Sequence, residues 1–157
     1  MIEIVDMNRF HIDGVVEVEN ATFHIPWTKA DFEREIKENN MAVYKVALVD
    51  GKPVGYAGMW HIVIEGHITN VAVHEDYRKM GIGEKLIDAL FEVANEREMI
   101  GLTLEVRISN MAAQKLYTKK GFRPEGFRKN YYQDTKEDAV IMWKYFEFYE
   151  DYDSIKD

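Results

Sequence analysis

The sequence predicts an α/β domain: a mixed, mostly antiparallel sheet of about six to seven strands with a central parallel pair, flanked by about four helices. Three observations lead there. Strand-forming segments on either side of Asp50-Gly51 meet at a tight-hairpin turn signal. Between Ile68 and Arg107 a strand, a glycine loop, an amphipathic helix and a second strand follow one another, an order that implies a parallel pair with a right-handed crossover. Apolar residues at 46% and charged residues at 31% of 157 suit one globular domain with enough chain to bury a core.

Taken in order, Ile2 to Val5 reads as a first strand, and Asn8 to Asn20 as a surface helix with Ile12, Val15 and Val16 on one side, interrupted at Gly14. The stretch Phe23-His24-Ile25-Pro26-Trp27 breaks that period. Thr28-x-x-Asp31 then forms a capping box for a helix carrying Phe32 and Ile36 and ending at Asn39-Asn40. Met41 to Val49 and Val54 to Ile64 are the hairpin strands, with Gly55 and Gly58 marking bulges or close backbone approaches. A turn at Glu65-Gly66 leads into the strand Ile68 to Val73.

After the glycine loop, Leu86, Ile87, Leu90, Phe91, Val93 and Ala94 recur at helical spacing, while Glu84, Lys85, Asp88 and Glu92 take the wet face. Leu102 to Arg107 alternates cleanly, with Leu102, Leu104 and Val106 on one face and Thr103, Glu105 and Arg107 on the other. Ser109-Asn110 caps a further helix that Gly121 stops. Phe127 to Tyr132 and Ala139 to Lys144 form a last antiparallel pair, and Tyr145 to Asp157 is an acidic, aromatic tail of the single domain 1–157.

Composition narrows the function. With no cysteine, there is neither a disulfide nor a thiol nucleophile. The N-terminal residues lack the order of a secretory signal, and no stretch is long and apolar enough to span a bilayer, so the expected address is cytoplasmic and away from membranes. A formal charge of −8 disfavours direct nucleic-acid binding and favours a basic partner. His67 and His74 lack metal-ligand spacing and read as ordinary residues, with no metal expected.

The loop Arg78-Lys79-Met80-Gly81-Ile82-Gly83 places two cations and two glycines directly before a helix. Helix N-termini present unpaired N–H groups and partial positive charge, and glycine lets backbone approach a phosphate. The loop is not a P-loop, because Gly83 is followed by Glu84-Lys85 instead of Lys-Ser/Thr, and it lacks the third glycine of a dinucleotide fingerprint, since Leu86 stands there. A phosphate cradle without a magnesium motif suits a ligand with a phosphate handle and a reactive end elsewhere, as in coenzyme A.

Further segments carry a family resemblance: Asn70-Val71-Ala72-Val73, the Arg78-x-x-Gly81-x-Gly83 loop, Leu104-Glu105-Val106-Arg107-x-Ser109-Asn110, Leu116-Tyr117-x-x-x-Gly121-Phe122, and Tyr131-Tyr132 followed by Glu137-Asp138-Ala139. Together they resemble the GNAT superfamily of acetyl-CoA-dependent N-acetyltransferases. With Phe23, Pro26-Trp27-Thr28 and Phe32 they are similar to the RimI-like branch, which acetylates protein N-termini. The likeness runs to about Lys144; Gln133 departs from a proline common in that branch, and the acidic tail has no counterpart.

The resemblance implies acetyl-CoA as co-substrate and, as acceptor, a protein N-terminal peptide, foremost the N-terminal alanine of a basic small-subunit ribosomal protein. It implies that Val71, Ala72 and Val73 face the pantetheine arm, that Arg78, Lys79, Met80, Gly81, Ile82 and Gly83 hold the pyrophosphate, and that Asn110 and Tyr117 also touch the cofactor. By the same resemblance Glu105 is the general base, Tyr117 the general acid, and Trp27, Tyr131 and Tyr132 contact the peptide. Other protein N-termini, lysine or a small amine remain as acceptors, and a non-catalytic CoA-binding module remains as a second class.

Each residue also has a structural role to compete with: an ion-paired strand glutamate for Glu105, a core aromatic for Tyr117, a helix cap for Asn110 and core packing for Trp27. On a strand Tyr131 and Tyr132 would face opposite ways. Glu105, with a reference pKa of about 4.3, serves as a base if burial raises it. Oligomeric state, monomer or homodimer, is left open.

Overall fold

The computed structural model describes residues 1–147. The rest of the acidic tail lies outside the described residues. The described residues divide into two compact units, Met1–His61 with Ile68–Val93, and Ile62–His67 with residues 94–147.

In the first unit, strand β1 (Ile2–Asp6) pairs antiparallel with β2 (Ala42–Val49), and β2 pairs antiparallel with β3 (Lys52–Ile62). Asp50 and Gly51 both adopt positive φ, 51° and 82°, as a two-residue hairpin turn of the primed type requires. The register shifts between Ala47 and Leu48, which leaves Val54 as the extra residue of a bulge. At Gly58 the expectation of a close approach holds: a Cβ there would lie 2.3 Å from the Tyr44 ring.

Helix α1 (Ile12–Thr22) is preceded by a 3-10 turn at Arg9–His11 and runs through Gly14 without a break. Helix α2 (Lys29–Glu38) opens on the expected capping box, with the Asp31 N–H donating to Thr28 Oγ1 at 3.2 Å and the Thr28 N–H to Asp31 Oδ2 at 2.9 Å. Ile12, Val15, Val18, Phe32, Val46 and Tyr56 form the core beneath both helices. Helix α3 (Ile82–Glu96) buries Ile82, Leu86, Ile87 and Leu90 completely or nearly so.

In the second unit, the start of β4 (Glu65–Val73) pairs parallel with β5 (Gly101–Arg107), His67 lying opposite Thr103. Strand β7 (Ala139–Tyr145) runs antiparallel to β5 and to β6 (Arg123–Arg128). The hydrogen-bonded strand order is β1-β2-β3-β4-β5-β7-β6. Helix α4 (Met111–Lys119) is capped by Asn110, whose Oδ1 accepts the Ala113 N–H at 3.1 Å, and Gly121 ends it at φ 98°.

Two expectations need correction. The turn before β4 falls at Val63-Ile64, with Val63 at φ 56°, so Glu65 and Gly66 already belong to the strand. Strand β6 is Arg123–Arg128 instead of 127–132; the backbone turns at Asn130, φ 52°, and Tyr131 and Tyr132 lie in a loop. Their two-faced strand arrangement therefore does not apply.

Candidate active site

The first unit carries the anion loop. Strand β4 alternates along Val71, Ala72 and Val73, burying the Ala72 side chain and leaving its neighbours half-buried. The Arg78 Nε–H donates to the Val73 carbonyl at 3.2 Å, which ties the loop to the strand end. Lys79 and Gly81 take positive φ, 64° and 77°, and a Cβ on Gly81 would meet nothing within 4 Å. Backbone therefore turns through open space immediately before α3.

Helix α3 begins at Ile82, two residues earlier than a start directly after Gly83, so Ile82 and Gly83 supply first-turn N–H groups. The Ile82 side chain is 1% exposed and the Met80 side chain is exposed, so these residues can meet an anion only through backbone. Positive-φ backbone, a helix N-terminus and the cations of Arg78 and Lys79 fit the pyrophosphate of coenzyme A.

Trp27 also belongs to this unit. Its backbone N–H donates to Glu19 Oε2 at 2.9 Å, and its ring meets Phe32 edge-on at 5.3 Å. Glu19, 2% exposed, also accepts the Tyr56 hydroxyl, so one buried carboxylate fixes the loop before α2. Beside it lies a cavity of about 500 Å³ lined by Trp27, Trp60, Asp31, Glu35 and Glu38 among others. Glu35 accepts the Tyr44 hydroxyl at 2.7 Å and the Trp60 indole N–H at 2.6 Å. Trp27 thus serves core packing and lines a groove at once, and neither glutamate stood out in the sequence.

The second unit carries the polar chemistry. Glu105 Oε2 lies 2.7 Å from His67 Nε2, and Glu105 Oε1 accepts the Arg128 Nε–H at 3.2 Å. The Glu105 side chain is only 11% exposed. Burial would push its carboxyl up, but the His67 hydrogen bond outweighs that, and the charges of His67 and Arg128 add to it; the carboxyl is held below the ordinary range. The condition that burial raise the Glu105 carboxyl is therefore not met. In return Glu105 raises the imidazole pKa of His67. His67 is therefore no ordinary strand residue. Parallel register creates the contact, because His67 faces Thr103 and Glu105 lies two residues further along the same face.

Arg107, two residues beyond Glu105, organises the loop after β6. Its guanidinium bonds Asp134 Oδ2 at 2.9 Å and Glu137 Oε2 at 3.2 Å, and lies 4.0 Å over the Tyr132 ring. Burial pushes the Tyr132 phenol up to about 12. Tyr131 and Tyr132 stack edge to face at 5.1 Å, leaving Tyr131 47% exposed. Tyr117 is 7% exposed and packs edge-on against Phe122 at 5.6 Å. Its phenol is pushed well above the ordinary range, first by burial and then by the nearby Tyr132.

The structure thus gathers Glu105, Tyr117, Tyr131 and Tyr132 into one unit, with Tyr132 an electrostatic neighbour of Glu105 and of Tyr117. The phosphate loop and Trp27 belong to the other. Among the described residues no cluster of three or more His, Asp or Glu could hold a metal ion, and no helix is long and apolar enough to cross a membrane.

Residues 12–122 match the model of the acetyltransferase (GNAT) family. The chain belongs to the GNAT family. As a GNAT enzyme it is an acetyl-CoA-dependent N-acetyltransferase. It is 46% identical over 132 residues to a provisionally named ribosomal protein bS18-alanine N-acetyltransferase of Bacillus subtilis, covering 84% of this chain and 87% of that one. It is 32% identical over 133 residues to the ribosomal protein bS18-alanine N-acetyltransferase of Escherichia coli K12, covering 83% and 88%. The crystal structure of the ribosomal-protein-S18-alanine N-acetyltransferase from Escherichia coli superposes with a TM-score of 0.82 at 30% identity, over 91% of this chain and 92% of that one. The expected GNAT fold, with its mixed sheet and one parallel pair, is the fold observed.

Proposed function

We propose that this GNAT enzyme acetylates the N-terminal α-amine of a protein, with the N-terminal alanine of a small-subunit ribosomal protein as acceptor, by direct transfer in a ternary complex. The carrying observation is Glu105, a largely buried mid-strand carboxylate held by an imidazole and a guanidinium. The relatives named for ribosomal protein bS18 supply the acceptor. A cytoplasmic setting and a single-domain chain belong to the same reading, as does a basic N-terminal peptide meeting a protein of charge −8.

Bound acetyl-CoA supplies the activated acetyl group. Arg78 and Lys79, with the backbone from Met80 to Gly83, would hold the pyrophosphate; the backbone of Val71 to Val73 would offer its polar groups to the pantetheine arm, and Asn110 would also touch the cofactor. Trp27, Tyr131 and Tyr132 hold the peptide. A free α-amine with pKa near 8 is about one-tenth neutral at pH 7, whereas a lysine amine near 10.4 is neutral in only about one molecule per few thousand. Glu105 therefore need not be a strong base. It accepts the proton that the nitrogen sheds as its lone pair forms the new bond to the acetyl carbon, directly or through a water.

Tyr117 faces the opposite requirement. A reference phenol is already about 2 kcal/mol weaker as an acid than a thiol. Burial makes Tyr117 weaker still. Its role is to donate a hydrogen bond to the departing thiolate rather than a whole proton.

Steady-state assays on a panel of N-terminal hexapeptides, lysine side chains and small amines test the acceptor. Highest kcat/KM on an alanine-initiated ribosomal terminus is expected. Faster turnover of lysine or a free polyamine would overturn it.

A further inference from the structure

We propose that His67 is a positioning residue for the transfer reaction, holding one oxygen of Glu105 while Arg128 holds the other, and that its proton occupancy sets the basicity of that carboxylate. The inference deepens the proposed function and rests on Glu105 acting as the base.

Geometry makes the case. His67 closes the parallel register opposite Thr103, and its Nε2 reaches Glu105 Oε2 at 2.7 Å. Arg128 approaches the other oxygen from β6 at 3.2 Å. Ile141, opposite Glu105 on β7, brings no charge. An ionised carboxylate only accepts, so Nε2 carries hydrogen, and His67 is either the Nε2–H neutral tautomer or the cation. Both forms hold Glu105 in place. They differ in what they do to its affinity for a proton.

With His67 cationic, the carboxylate faces two full positive charges and binds the amine proton poorly. With His67 neutral, the Nε2–H still orients the oxygen, one of those charges is gone, and basicity recovers. The charged groups acting on the imidazole are Glu105 on β5 and Glu65 on β4, which favour its cation, and Arg128 on β6, which opposes it. The balance raises the His67 pKa above its ordinary 6.5. Transfer should therefore switch on as His67 loses its second proton. The amine proton moves from nitrogen to a Glu105 oxygen and then to water, leaving His67 unchanged over the cycle.

Two substitutions separate this from a structural role. His67→Gln keeps a side-chain N–H donor that does not titrate; His67→Ala keeps nothing. Profiles of kcat and kcat/KM against pH are measured with any acceptor that supports transfer. All variants share the acceptor amine's own ionisation. Wild type should show an additional acid limb above 6.5 that is absent from His67→Gln, so that the glutamine variant gains on wild type by about tenfold per pH unit below the His67 pKa. His67→Ala should lose roughly ten- to hundredfold in kcat with little change in KM, as Glu105 loses its orientation.

A wild-type profile in His67→Gln, or a wild-type kcat in His67→Ala, overturns the proposal. Nitrogen-15 NMR of the wild-type imidazole adds a readout that needs no turnover. His67 should titrate above 6.5 and return toward it in Glu105→Gln, and titration at or below 6.5 in the wild type also overturns the proposal. Absence of transfer to every protein N-terminus would instead overturn the acceptor assignment and leave the NMR result standing.

Discussion

Glu105 shares its two oxygens between His67 and Arg128, so a change of side chain there removes a base and leaves two donors facing an amide. Glu105→Gln should lower kcat by roughly 10²- to 10⁴-fold, the range for a positioned proton acceptor. Tyr117→Phe should cost roughly a hundredfold, the loss of one donor to a developing anion. Single-turnover acetyl transfer checks both, and near-wild-type rates would remove these residues from the reaction.

The same ion pair ties folding to pH. His67 has a raised folded pKa, so its stabilisation is complete below 6.5 and fades as pH rises through the raised value. Glu105 has a lowered one, so its stabilisation is present above 4.5 and fades as pH falls through the lowered value. The joint contribution is greatest between 4.5 and 6.5. Comparing Tm for wild type and His67→Gln across pH should show the largest gap inside that window and a smaller one on either side.

At the level of elements, the proposed cofactor contact would give Asn110 a divided duty that substitution can split. Its Oδ1 caps α4 through the Ala113 N–H, and the proposed cofactor contact would use the amide nitrogen. Asn110→Asp keeps the cap and loses the donor; Asn110→Ala loses both. Thermal melts should show Asn110→Ala destabilised by about 1 kcal/mol and Asn110→Asp nearly unchanged, while acetyl-CoA titration should show both variants weakened. Unchanged cofactor affinity in both would reduce Asn110 to a cap.

Local chemistry made most elements legible. The Thr28 and Asp31 box, the Asp50-Gly51 turn and the Gly121 stop each depend on neighbours in sequence, and each sits where its residues indicate. Strand β6 was misread because tyrosines favour strands, whereas here the Arg107 guanidinium, anchored on Asp134 and Glu137, draws Tyr132 into the loop. Of the candidate site, the chemical identity of Glu105 and Tyr117 could be read from the segments around them. The grip of His67 could not, because it depends on parallel register across a helical crossover.

For the molecule as a whole, charge is the simplest lever. A protein of net charge −8 meeting a basic terminus should gain encounter rate that salt screens away. KM for a basic ribosomal hexapeptide should rise several-fold between low and physiological ionic strength, and that for a neutral peptide should stay level. Equal responses would count against electrostatic recruitment.

Strand β5 sets a common measure for two tasks. Glu105 and Arg107 sit two residues apart on one face, about 7 Å along the strand, the first gripping His67 and Arg128 and the second gripping the loop at Asp134 and Glu137. A single-residue insertion or deletion before Glu105 would turn both side chains to the opposite face together. Loop residues that Arg107 does not hold can therefore change one at a time, while the length of β5 is the part that drift cannot alter in small steps.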